Sequence, residues 1–171
     1  MPIPKNICIF EDEQASNLLP LTYTRPVFDL LCGTISLARR IQRFFPKANV
    51  YFKCRDYLAP LLHEQKRRVN KFDQGECLFI NGRVLLDQAV YKRITSDSNA
   101  TFMYNDLAVA FWNTLSPKKV SCDATLIQYP WDLISYNSKM IAADFKSGNQ
   151  TLAKTKDGGS LINRRKIFIG K

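Results

Sequence analysis

Three short apolar runs, NICIF (6–10), NVYFKC (49–54) and CLFIN (77–81), are separated by two stretches of helical periodicity. That alternation constrains the fold more than any other feature of the chain. NICIF and CLFIN are apolar on both sides of the pleat, as strands buried on two faces are, whereas NVYFKC alternates. TISLARRIQRFF (34–45) puts Ile35, Ala38, Ile41 and Phe45 at helical spacing, and Pro46 ends it. A second helix covers about Tyr57 to Arg68. Strand, helix, strand, helix, strand implies an α/β fold with a mostly parallel central sheet, right-handed crossovers and helices on both faces.

Further on, the pattern predicts a short helix over 88–94, strands over 101–105 and 108–112 with a turn at Asp106, and a strand at TLIQY (125–129). WDLISYNSKMIAADF (131–145) is an amphipathic helix with Ile134, Ile141 and Phe145 on one side. From Lys146 to Arg165 the composition shifts to Lys, Gly, Ser, Asn and Thr without a period, which predicts a linker, and KIFIGK (166–171) turns apolar again. The organisation expected is therefore one domain over 1–145, a linker over 146–165 and the start of something further at 166–171.

At 171 residues the chain suffices for one domain with a sizeable core. No apolar run reaches the length of about eighteen residues that a membrane span needs, and MPIPKNICIFEDE meets acids too early for a signal peptide. Five cysteines, widely spaced and mostly in apolar segments, with no C-x-x-C pair and one histidine, His63, argue against a zinc site. Buried thiols in a reducing cytoplasm are the expectation. The net charge is +10, and ten Lys/Arg lie between Arg39 and Lys71 against two acids, Asp56 and Glu64. A solvated helix surface is the favoured reading of that run, attraction of phosphate the second and nucleic acid the third, since neither an RNA-binding aromatic signature nor a DNA-reading helix is present.

In an open parallel sheet, ligands bind beyond the carboxyl ends of the strands. Two segments fall there. EDEQASNLLPLTYTRPV, after the first strand, offers Glu11, Asp12 and Glu13 to a metal or a hydroxyl, Thr22 and Thr24 as hydroxyl donors, and Arg25 as a bidentate partner for phosphate or carboxylate. Its apolar residues Leu18, Leu19, Leu21 and Phe28 anchor it. NGRVLLD (81–87), after CLFI, offers the Asn81 amide, close backbone approach at Gly82, the Arg83 cation and Asp87. This edge suits an anionic ligand; no Walker loop, dinucleotide fingerprint or nucleophilic triad is present.

NLLPLTYTRPVFDLLCGTISLARR (17–40), with LFINGRVLLD (78–87), YPWDLISYNSKMIAADF (129–145) and KIFIGK, resembles a family of sugar nucleotidyltransferases. These are related to the bifunctional UDP-N-acetylglucosamine pyrophosphorylase/glucosamine-1-phosphate N-acetyltransferases. The resemblance implies a Rossmann-like nucleotidyltransferase domain, followed by a left-handed β-helix whose first coil begins at 166–171. It implies transfer of a nucleotide to a sugar 1-phosphate with release of pyrophosphate, assisted by Mg²⁺. Arg25 and Arg83 would be the catalytic cations. Asn17, Thr22, Thr24, Arg25, Asn81 and Gly82 would bind the nucleoside triphosphate or sugar 1-phosphate, and Asp12 and Asp87 would hold the metal. A cytoplasmic parent, trimeric through a β-helix acyltransferase part, follows from the same resemblance. The sequence also departs from the pattern. FEDEQAS lacks the phosphate-cradling glycines, Val27 stands where a catalytic lysine belongs, and Arg83 stands where a metal-ligating aspartate belongs. A domain that keeps the fold and binds a nucleotide sugar, or serves as a scaffold without turnover, is the alternative.

Overall fold

Strand β1 (Asn6–Phe10) sits between two parallel neighbours, β4 (Asn49–Lys53) and β5 (Cys77–Asn81), with Cys8 opposite Tyr51 on one side and Phe79 on the other. The computed structural model describes residues 4–71, 75–113 and 115–147. Its central sheet has six strands in the order β4-β1-β5-β7-β6-β8. The added strands are β6 (Thr101–Tyr104), β7 (Leu107–Trp112) and β8 (Lys119–Ser121). β7 runs antiparallel to both β5 and β6, while β8 returns parallel to β6. The sheet is thus mostly parallel, as expected, and Asn105, at φ 51, makes the β6–β7 turn next to Asp106.

The first helix starts later than its periodicity predicts. Residues 31–36 form a two-stranded hairpin, β2 (Leu31–Cys32) with β3 (Ile35–Ser36), turned at Gly33 with φ +83. Ser36 then caps α1 (Leu37–Phe44), its hydroxyl accepting from Arg39 N at 3.2 Å. Helix α2 (Ala59–Glu64) is shorter than the predicted 57–68 because a 3-10 turn over Asp56–Leu58 precedes it and Lys66, at φ 58, turns the chain away after it. The predicted helix at 88–94 is α3 (Gln88–Ile94), and that at 131–145 is α4 (Pro130–Ser147). The predicted strand at 125–129 is absent. That segment makes a single antiparallel bridge, Leu126 to Val84, and its carbonyls serve Leu85 N and Arg83 rather than a ladder.

One face of the sheet carries the main core. Ile7 and Ile9 of β1 and Leu78 and Ile80 of β5 pack there against Ile41 of α1, Leu62 of α2 and Val90 and Ile94 of α3. Each such aliphatic side chain, once fully buried, stabilises the fold by about 1.5–3 kcal/mol. The opposite face holds Cys8, Tyr51, Cys77 and Phe79, a cluster made of strand residues, with Phe79 stacked on Phe111 at 5.0 Å. Val69 bridges to Phe52 beside β4 before the chain returns to the sheet in β5. A second cluster, including Leu18, Val27, Leu37 and Ile127, lies under α4, which presents Leu133, Tyr136 and Met140 to it. Ile134, Ile141 and Phe145 do share one side of α4, and it is the exposed side.

Among the described residues no helix is long and apolar enough to cross a membrane. The linker expected over 146–165 and the β-helix start at 166–171 fall outside the described residues from 148 onward; α4 itself continues through Ser147.

Candidate functional site

The chain leaves β1 with two acids, and each takes an arginine from a neighbouring strand end. Glu11 accepts from Arg55 Nε at 3.2 Å and Nη2 at 3.1 Å, and from the backbone N–H groups of Val27 at 2.7 Å and Arg55 at 3.1 Å. Arg55 Nη2 also donates to the carbonyls of Thr22 and Arg25. One carboxylate and one guanidinium therefore close the loop over residues 20–27. Apolar anchoring does the rest: Leu18, Val27 and Phe28 are fully buried, and Phe28 packs on Phe52 with ring centroids 5.0 Å apart. Thr22, read as a ligand-binding hydroxyl, is buried as well and donates to Ala15 O at 3.2 Å.

Asp12 faces Arg83. Nε of Arg83 donates to Asp12 Oδ1 at 2.9 Å, Nη2 to Oδ2, and Nη1 to Ile127 O at 3.0 Å. Arg83 is completely inaccessible, the largest side chain so buried among the described residues. Asn81 completes the network. Its amide donates to Asp12 Oδ2 at 2.8 Å and to Ala108 O at 3.1 Å, and its Oδ1 accepts from Arg83 N at 3.0 Å. A buried guanidinium is tolerated because a carboxylate and a carbonyl share its protons. Gly82 permits a close approach, but of the chain to itself. A Cβ there would lie 2.9 Å from Phe28 Cβ and 3.2 Å from Phe10 O.

The residues expected to form one site are thus distributed. Asp12, Asn81 and Arg83 come together, with Gly82 beside them, in a closed network. Thr24 and Arg25 are exposed and line a separate cavity of about 420 Å³, whose wall includes Asp29, Ser36, Gln65 and Arg67. Among the described residues the Arg25 guanidinium has no hydrogen-bond or ion-pair partner, whereas Arg67 donates to Asp29 at 2.7 Å. Asn17 is exposed on the 3-10 turn of Glu13–Leu18. Asp87 caps α3, accepting from Val90 N at 2.9 Å, and borders a second cavity.

Sequence reading missed two partners. Arg55 and Arg40 both sat in the run taken as a solvated surface. Instead Arg55 clamps Glu11, and Arg40 is buried against Asp144 with Nη1 to Oδ1 at 2.8 Å and Nη2 to Oδ2 at 3.0 Å. The place of Arg55, directly after β4 and beside the end of β1, is the signal that locates the first. Nothing local announces the second, because Asp144 lies a hundred residues away in sequence.

The donor set does not fit Mg²⁺ as folded. Both oxygens of Asp12 are engaged by Arg83 and Asn81, those of Glu11 by Arg55 and Val27 N, and Asp87 serves a helix elsewhere. Among the described residues no group of three or more His, Cys, Asp or Glu is placed to hold a metal ion. Four cations of the basic run, Arg40, Arg43, Arg55 and Arg67, are paired with carboxylates, which lessens the field available to a polyanion.

A mixed, mostly parallel sheet with its acids and arginines gathered beyond the ends of β1 and β5 defines a Rossmann-like α/β domain. The model of the sugar nucleotidyl transferase family matches residues 7–151, and the chain belongs to that family. Among solved structures it is similar to a protein assigned as a glucose-1-phosphate thymidylyltransferase from Bacillus anthracis, solved with sucrose. The identity is 11%, the TM-score 0.41, and the match covers 77% of this chain and 73% of that one. No curated protein sequence matches the chain.

Proposed function

We propose that this chain is a ligand-binding member of the sugar nucleotidyl transferase family. It takes a nucleoside triphosphate, sugar 1-phosphate or nucleotide sugar beside Thr24 and Arg25, without turning it over. The observation that carries this reading is the closure of Asp12 on Arg83. The carboxylate that would hold a metal and the cation that would hold a phosphate neutralise each other, while Arg25 keeps, beside a cavity, a guanidinium that no described residue pairs with. A guanidinium next to a threonine hydroxyl is a suitable receptor for a phosphate.

Calorimetric titration with UTP, dTTP and UDP-N-acetylglucosamine, with and without Mg²⁺, tests it. Binding is expected, weakened at least about tenfold in Arg25→Ala, as the loss of a charge-assisted hydrogen bond implies. Silence with every ligand from a folded sample would leave only the scaffold role.

The family match over residues 7–151 favours a second reading, an active sugar-1-phosphate nucleotidyltransferase of the UDP-N-acetylglucosamine pyrophosphorylase type. The sugar-phosphate oxygen would attack the α-phosphorus, pyrophosphate would leave, and Arg25 and a released Arg83 would offset the growing charge. This requires Asp12 and Arg83 to part. Pyrophosphate release from UTP or dTTP with N-acetylglucosamine or glucose 1-phosphate separates the two readings, since the first predicts none. A homotrimer, an acyltransferase part and a cytoplasmic location rest on the resemblance alone.

A further inference from the structure

A cavity of about 700 Å³ lies between α1, α4 and the turn that follows β5, sharing no residue with the cavity beside Arg25. Phe44, Leu86, Tyr136, Met140 and Ala143 give it an apolar wall. Arg40, Arg43 and Lys139 supply three cations, against the carboxylates of Asp87 and Asp144.

Asp144 is fully engaged, and Asp87 is engaged through one oxygen. Asp87 caps α3 through Oδ1, and Asp144 accepts from Arg40, Arg43, Thr34 N and Thr34 Oγ1. The cations are not used up. Lys139 is exposed with no hydrogen-bond or ion-pair partner among the described residues, and the Arg43 side chain is 40% exposed while touching Asp144 at 3.2 Å. The Arg40 side chain is only 7% exposed, and its Nε–H is a buried donor with no acceptor among the described residues. Buried donors are almost always satisfied, so an orphan on a residue that lines a cavity of ligand size is consistent with a missing acceptor.

We infer that this cavity binds a small amphipathic anion. Its acid group meets Arg43 and Lys139 at the mouth with Arg40 behind them, and a flat apolar body lies against Phe44, Tyr136 and Met140. The site stands whether or not the domain catalyses nucleotide transfer, because none of its cations belongs to the loop at Arg25.

The test is an NMR titration of the ¹⁵N-labelled chain with 1-naphthyl phosphate, 1-naphthoate and neutral 1-naphthol. Saturable amide shifts at Phe44, Leu86, Met140 and Ala143 are expected with one or both anions, the tighter one naming the acid group. Arg43→Glu/Lys139→Glu should raise Kd at least about tenfold, the loss expected for charge-assisted contacts. Ala143→Trp, which fills the cavity, should abolish binding, and Arg25→Ala should leave it unchanged. If Ala143→Trp does not fold, the double substitution at accessible positions decides. The inference is overturned by an absence of saturable shifts, by naphthol binding as tightly as the anions, by an unchanged Kd in the double variant, or by shifts confined to the exposed Trp131, Ile134 and Ile141 side of α4.

Discussion

Arg83 and Asp12 meet across the carboxyl ends of β5 and β1 in a two-point contact, Nε to Oδ1 at 2.9 Å and Nη2 to Oδ2. The two partners are not equally buried: the Arg83 side chain is 0% exposed and that of Asp12 is 19%. Removing the carboxylate strands a charge that water cannot reach, whereas removing the guanidinium leaves a carboxylate that water can partly solvate. Asp12→Asn should therefore cost about 3 kcal/mol and Arg83→Met about 1 kcal/mol, scaled from broken buried pairs. Urea unfolding of both variants measures this. The Asp12→Asn deficit should be the same with and without Mg²⁺; a deficit that appears only with the metal would assign Asp12 to a metal site instead.

Gly82 supports the same corner. Its N–H donates to Phe10 O at 2.8 Å, which fixes the backbone, and an added Cβ would come within 2.9 Å of Phe28 Cβ. Neither contact involves a flexible chain end. Gly82→Ala should destabilise by about 1–3 kcal/mol, the usual cost of overpacking a tight core, and should loosen the 17–30 loop. Thermal unfolding and limited proteolysis within that loop check both parts, and an unchanged Tm would rule the packing argument out.

The elements legible in the sequence are those whose signal is local. NICIF and CLFIN match β1 and β5 end to end, and residues 88–94 match α3, because burial pattern and period reside in the run itself. The β2–β3 hairpin was hidden by a helical period that begins with Ile35, and β8 is three residues of weak pattern made into a strand by β6. At the candidate site, the strand pattern implied that Asp12, Asn81 and Arg83 share one sheet edge, and they do, but it did not give their pairing. Whether an aspartate beside an arginine binds a metal or the arginine depends on side-chain reach across β1 and β5, which spacing along the chain does not encode. The same holds for Arg40, whose counter-ion arrives from α4.

All five cysteines are free and buried. Burial, as the leading cause, pushes the thiols of Cys54, Cys77 and Cys122 up from 9.0 to about 11, and those of Cys8 and Cys32 also upward. A thiol is nucleophilic only as thiolate, so at mildly alkaline pH the folded chain should hardly react with a disulfide reagent such as DTNB. Adding urea should release all five at once. A fast-reacting thiol in the native protein would expose a local opening of the core.

Asp144 ties α4 to the β2–β3 turn and to α1, and its protonation should set how the domain responds to acid. Burial pushes its pKa up, but hydrogen bonds from Arg40 and from Thr34, with the Arg40 charge, pull it down further, and the net position is below the ordinary 3.8. A carboxylate depressed in the folded state contributes stability that is complete above its unfolded value and vanishes as pH falls through the folded one. Asp144→Asn should thus cost about 3 kcal/mol at neutral pH, the scale for breaking a buried pair. The gap to the wild type should shrink below the ordinary 3.8, as the wild-type carboxyl takes up its proton. Because the Asp144 side chain is 2% exposed, added salt should change the neutral-pH deficit little. Urea midpoints for both proteins across that range decide the matter. A deficit that stays constant as pH falls would mean that the carboxylate's charge is immaterial, and that α4 is held by the packing of Leu133, Tyr136 and Met140 alone.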